Sequence, residues 1–204
     1  MIKAGDPLLL SGALAALQNA GTPTLRGVQA NVHIGGRSAL ELQGFGHYLQ
    51  IGAKNETTVF VGGKTALPVW FENNDWGNKI KIYRVSLFRD ETVGMMDFQD
   101  GELTMKISNT ARAMMECLAL CPERFPLAEC FELMEGLGSL RPAKVQELLV
   151  SCKSVKVKRL FLYFAEKVNH SWFKYLDTSK IDIGAGKRSL VKGGVLAAKY
   201  GIVV

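Results

Sequence analysis

No pair of cysteines in this chain has the Cys-x-x-Cys spacing of a zinc or redox motif. The four present (Cys117, Cys121, Cys130 and Cys152) fall mostly within helix-like apolar patterns, which predicts core thiols and no metal site. No stretch approaches the roughly 18 apolar residues of a membrane helix, and the N-terminus lacks a secretory pattern. A cytoplasmic protein that stays off the membrane is the expectation. Histidine is scarce, and His33, His47 and His170 share no spacing that suggests a metal site or a catalytic triad. His47, beside Tyr48, reads as a structural hydrogen-bonding residue.

The catalytic motifs are missing too. There is no G-x-S-x-G and no Asp/Glu-x-Lys triplet of one large nuclease superfamily. "GFGHYL" lacks the third glycine of a dinucleotide loop. "GAGKRS" has Ile181 where a phosphate loop needs its first glycine, and Arg188 where Ser or Thr would meet magnesium. Neither an enzyme nor a cofactor is expected.

What is present is a core and an uneven charge. With 204 residues, 48% of them hydrophobic, the chain can bury a substantial interior without disulfides. Its net charge of +6 divides sharply. Residues 1 to 140 carry 12 Lys and Arg against 15 Asp and Glu, whereas residues 141 to 204 carry 13 against 4. A basic C-terminal third suggests an acidic partner, nucleic acid or protein.

The periodicity predicts an α+β fold, a mixed sheet with a compact array of about four helices in the second half. "DPLLLSGALAALQNAG" reads as a helix with Asp6 as cap, Pro7 in its first turn and Gly21 beyond its end. Ser38 and Glu41 have capping-box spacing, which predicts a short helix over 39–43. "FGHYLQIG", "TTVFVGG" and "NKIKIYRVSLF" read as strands, and a hairpin is expected around Asp100 and Gly101. From Asn109 the pattern turns helical four times, ending in "VKVKRLFLYFAEKV". "KIDIG" and "YGIVV" read as short strands around a Gly- and Lys-rich loop. With no repeat and no linker, one continuous domain over 1–204 is expected.

Two cationic stretches are the candidate binding residues: Lys153, Lys156, Lys158 and Arg159, then Lys187, Arg188 and Lys192. The first opens the last long helix, whose stripe of Val157, Leu160, Phe161, Phe164 and Val168 is a core face rather than a base-stacking platform. Its cations are either a solvated helix start or part of a binding surface. The second lies among glycines, either an ordinary turn or a site for an anion. Glu129, Glu132 and Glu135 read as a partly solvated face or a docking edge for a basic partner.

Five segments, among them "GGRSALELQG" (35–44), "CKSVKVKRLFL" (152–162) and "GKRSLVKGG" (186–194), together resemble the AbiEi family, in the same order over nearly the whole chain. The family comprises antitoxins and transcriptional regulators of bacterial type IV toxin–antitoxin, or abortive-infection, systems. The resemblance implies a non-enzymatic antitoxin that counteracts a nucleotidyltransferase-like toxin without a stable complex, and that meets RNA or DNA through its basic surface. It also implies that the winged helix-turn-helix of the family, which represses its own operon, is missing from the start of this chain. A nucleic-acid-binding module of a regulator is the alternative, and a divergent nuclease-like or nucleotidyltransferase-like enzyme the third reading.

Overall fold

The computed structural model describes residues 9–19, 31–45, 56–63 and 65–204. The expectations for Asp6, Pro7, Gly21 and His47, and most of the strand expected over 45–52, lie outside these residues. Within them the architecture is α+β. Five strands form a mixed sheet: β1 (Val32–Ile34), β2 (Glu56–Val61), β3 (Lys79–Arg84), β4 (Met95–Asp100) and β5 (Leu103–Ser108), in the order β3-β2-β1-β5-β4. The outer pairing β4–β5 is the expected hairpin, with Asp100 opposite Leu103 and Gly101 at φ 60° in the turn. The positive φ explains the glycine there. The pairs β1–β5 and β2–β3 are parallel, which only distant chain segments can supply.

Helix α1 (Leu10–Asn19) lies on β5 and β1. Gln18 fastens it there: its amide donates to the carbonyls of Val32 and Lys106, 2.8 Å each, and accepts from Lys106 N–H at 2.7 Å. The second half supplies α4 (Thr110–Leu120), α5 (Leu127–Glu135), α6 (Pro142–Ser151) and α7 (Val155–Val168). Asn109 caps α4 by accepting from Arg112 N–H at 2.9 Å, as its side chain predicts. Helix α4 packs against α5, α6, α7 and the short α2 (Gly36–Leu40), so it is buried nearly all round. The α7 stripe faces inward, with Val157, Leu160, Phe161 and Phe164 all buried. All four cysteines are buried free thiols.

Burying α4 also buries two of its charges, and the fold answers them. The Glu116 carboxylate accepts from His33 Nε2 and Arg112 Nε, both 2.9 Å, from Ser108 Oγ at 2.8 Å and from Gly36 N–H at 2.9 Å. Burial alone would push this carboxyl up; the charges and hydrogen bonds of His33 and Arg112 outweigh it and bring the pKa down to about 2. Arg112 also donates to the carbonyls of Glu91 and Val93, 2.7 Å each, and lies over the Phe88 ring. A Cβ at Gly35 would stand 2.2 Å from a Glu116 oxygen, so the Gly35-Gly36 pair gives the room that this approach needs.

Three expectations are corrected. The short helix begins at Gly36 rather than Ala39 and continues as a π-helical turn over Glu41–Phe45. Ser38 is therefore no cap; its hydroxyl accepts from Thr58 N–H at 2.9 Å, and Glu41 pairs with Arg37. The cap comes through space, from Glu116, which local spacing cannot reveal. "KIDIG" is no strand: its Lys180 ends a turn of 3-10 helix (Thr178–Lys180), and a bend at Ile181 leads into irregular chain. The Gly- and Lys-rich loop is itself stranded, with β6 (Arg188–Ser189) and β7 (Leu196–Ala197) on either side of β8 (Ile202–Val203), the strand expected in "YGIVV", in a small sheet of order β6-β8-β7. Sequence also missed α3 (Val69–Asn73), a single turn started by Pro68.

Candidate anion-binding face

The two cationic stretches meet in space but have different fates. Ser154 caps α7 by accepting from Val157 N–H at 3.3 Å, and the next turn of the helix faces the core. Lys158 is 4% exposed and Arg159 2%. Neither the solvated helix start nor a place on an open binding surface survives for these two, because the helical period turns them toward the body of the protein. Arg159 spends its guanidinium on backbone: Nε donates to Ile183 O at 2.7 Å, and Nη1 to Gly186 O at 2.7 Å and Gly201 O at 3.0 Å. It is a clamp that seats the glycine loop on α7. A Cβ at Gly201, where φ is +60°, would lie 3.1 Å from Gly186 O and 3.2 Å from Arg159 Nη1. Glycine is required there for both reasons.

Lys156 is half-buried and holds the end of α4, donating to Ala119 O at 2.8 Å and Cys121 O at 2.6 Å. A cation on the last carbonyls of a helix is favourable. Burial lowers the pKa of its ammonium. Lys153 stays exposed but is engaged, donating to Ser86 Oγ at 2.6 Å with Glu91 at 3.7 Å.

Lys187, Arg188 and Lys192 are exposed, and no side-chain partner faces them among the described residues. Their backbone is nevertheless fixed. Arg188 N–H donates to Gly201 O at 2.9 Å and Leu190 N–H to Val203 O at 3.0 Å, while Asp182 accepts from Gly184 N–H at 2.8 Å and so turns the chain into the loop. Ser189 and Leu190, beside these cations in the chain, line a cavity of about 290 Å³ with Cys121, Glu123, Arg124 and Lys156. The arrangement can hold an anion at an open, positively charged face over a firm backbone. Val191, Val195 and Leu196 are exposed beside the same cations.

Sequence missed the Glu116 cluster, whose only local trace is the i, i+4 pair with Arg112. Among the described residues no group of three or more His, Cys, Asp or Glu side chains could hold a metal ion, and no helix is long and apolar enough to cross a membrane. Of the three acids on α5, Glu132 and Glu135 are exposed, while Glu129 is half-buried and pairs with Arg37 at 3.2 Å.

A family model described as a transcriptional regulator, AbiEi antitoxin, of type IV toxin–antitoxin systems matches residues 54–204. A second, described as the AbiEi antitoxin N-terminal domain, matches residues 1–51. That match overturns the expectation of a chain without its family's N-terminal domain. Here α1, β1 and α2 are built into the core of the same sheet, so no break in composition marks the boundary. The fold is similar to the crystal structure of the RV2827C protein from Mycobacterium tuberculosis, with a TM-score of 0.64 at 15% identity. The alignment covers 95% of this chain and 66% of that one, so the chain spans just under two thirds of its length. Comparison with curated proteins gives no match.

Proposed function

Because the chain belongs to the AbiEi family of transcriptional-regulator antitoxins of type IV toxin–antitoxin systems, we propose that it neutralises a nucleotidyltransferase-like toxin in the cytoplasm, without catalysis, as part of phage defence. The observation that carries this reading is the set of exposed cations Lys187, Arg188 and Lys192, without side-chain partners among the described residues, on a backbone pinned by Arg159. An antitoxin that forms no stable complex with its toxin must act on something the toxin also meets. A phosphate-bearing target, RNA first, suits three free cations on a fixed loop. Lys156 lines the cavity that Ser189 and Leu190 of this loop also line.

The deciding experiment is growth rescue. The toxin encoded beside this gene is induced with the wild-type chain or with a Lys187→Glu, Arg188→Glu double variant. The wild type should rescue growth, and the double variant should fail to rescue while folding normally. Equal rescue by both would remove this face from the mechanism, and no rescue by a soluble wild-type chain would remove the antitoxin reading. The same cations support a second reading, a nucleic-acid-binding module with affinity of its own. Its affinity should then fall steeply as salt rises, since bound phosphates release counterions.

A further inference from the structure

Cys121 follows the last turn of α4, Cys130 lies in α5, and their sulfurs are 3.1 Å apart. A disulfide bond spans about 2.0 Å, so an approach of about 1 Å separates this pair from bonding. Cys152 is differently placed, its thiol directed to Ser154 O at 3.7 Å. Both residues are buried, Cys121 at 2% exposure and Cys130 at 0%, and of the two Cys121 is the one among the residues that line the cavity beside Ser189 and Leu190. A small oxidant entering from solvent meets Cys121 first.

We propose that Cys121 and Cys130 form a dithiol that hydrogen peroxide converts to an intramolecular disulfide, making the α4–α5 corner a site of reversible oxidation. The Cys121 sulfur attacks one peroxide oxygen and the O–O bond breaks. The departing hydroxide takes the thiol proton as water and leaves a sulfenic acid. The Cys130 sulfur then attacks that sulfur and the S–O bond breaks, the hydroxide leaving with the Cys130 proton as a second water. Two thiols and one peroxide thus give one disulfide and two waters. The sulfurs lose two electrons and the peroxide gains them.

The surroundings assign the order. Burial pushes the Cys130 thiol well up, so it stays protonated and reacts only when an electrophilic sulfur is beside it. Lys156 holds the Cys121 carbonyl, placing a cation at the residue that reacts first. In a reducing compartment such a bond is transient, and a small thiol reverses it by exchange. The bond would remodel the floor of the cavity below Ser189 and Leu190, which belong to the cationic loop.

The inference goes beyond antitoxin activity, and its test reads sulfur chemistry alone. The folded full-length chain is exposed to peroxide at a level that fully oxidises free dithiothreitol, quenched, denatured and alkylated with iodoacetamide. Of its four cysteines, two should then accept the alkyl group, peptide mapping should join Cys121 to Cys130, and thiol reduction before alkylation should restore all four. Cys130→Ser should stop at a sulfenic acid on Cys121 that dimedone traps, with Cys130→Ala as the second variant if serine prevents folding. Cys152→Ser should react as the wild type does. Alkylation of all four thiols, a bond involving Cys117 or Cys152, or a link between two chains would overturn the proposal.

Discussion

The stretches at 153–159 and 187–192 carry similar charge and end in opposite conditions. In the first, Arg159 and Lys156 are consumed by backbone carbonyls, five between them, and Lys158 is buried. In the second, Lys187, Arg188 and Lys192 are exposed and have no side-chain partner among the described residues. The difference lies in backbone geometry. A helix directs its cations to fixed sides, and the inward side meets carbonyls freed by helix ends and glycine turns. The loop of the second stretch gives its carbonyls to other donors: Gly186 O accepts from Arg159 and Val191 O from Ser189 Oγ, and among the described residues none accepts from the side chains of Lys187, Arg188 or Lys192. The first stretch therefore holds the platform together, and the second stays exposed on it.

Breaking that contrast should have graded effects on stability. Glu116→Gln, the control for what a buried charge is worth, leaves the buried Arg112 guanidinium with only the more distant Glu91 carboxylate, 3.7 Å away, and should cost roughly 3 kcal/mol, read from urea unfolding. The pH dependence follows. Because folding depresses the Glu116 pKa to about 2, its contribution is complete above the ordinary carboxylate pKa of about 4.3 and is lost as pH falls from there toward 2. The wild type should lose stability across that window, and Glu116→Gln should lose much less. A parallel acid titration of the two would show that Glu116 does not carry the effect.

Arg159→Met comes next, since it strips charged donors from the carbonyls of Ile183, Gly186 and Gly201. A cost of roughly 3 kcal/mol is expected, together with faster amide exchange at Arg188 and Leu190. Unchanged exchange there would mean that the loop seats itself without the clamp. Lys156→Met keeps the apolar stem but removes the cation from the end of α4, for a loss of about 1 kcal/mol in thermal or chemical melts. Smallest in stability, within about 0.5 kcal/mol, is the Lys187→Glu, Arg188→Glu pair. That variant should nevertheless lose rescue, and the mismatch between its stability and its activity is what separates a binding face from a structural one.

Much of the helical half was legible because its signals are local. The apolar stripe of α7, the Asn109 cap and the β4–β5 hairpin each depend on residues within a few positions of one another. The start of α2 was misread because its cap, Glu116, is 80 residues away from Gly36. "KIDIG" alternates like a strand yet pairs with none, its local turns being set by Asp177 accepting from Ser179 N–H and Asp182 from Gly184 N–H. Of the candidate site, charge and position were legible but exposure was not: seven cations were named, and the fold leaves three of them both exposed and without side-chain partners among the described residues, while Lys158 is buried.

The sequence by itself determined the α+β class, the basic C-terminal third, the core thiols and the family, since composition, period and ordered motifs are properties of the chain. Only the tertiary structure decided which cations are structural and which are free, and that two of the thiols touch. Arg159 meets carbonyls 24, 27 and 42 residues away, and exposure is fixed by such distant contacts rather than by the residue's own neighbours.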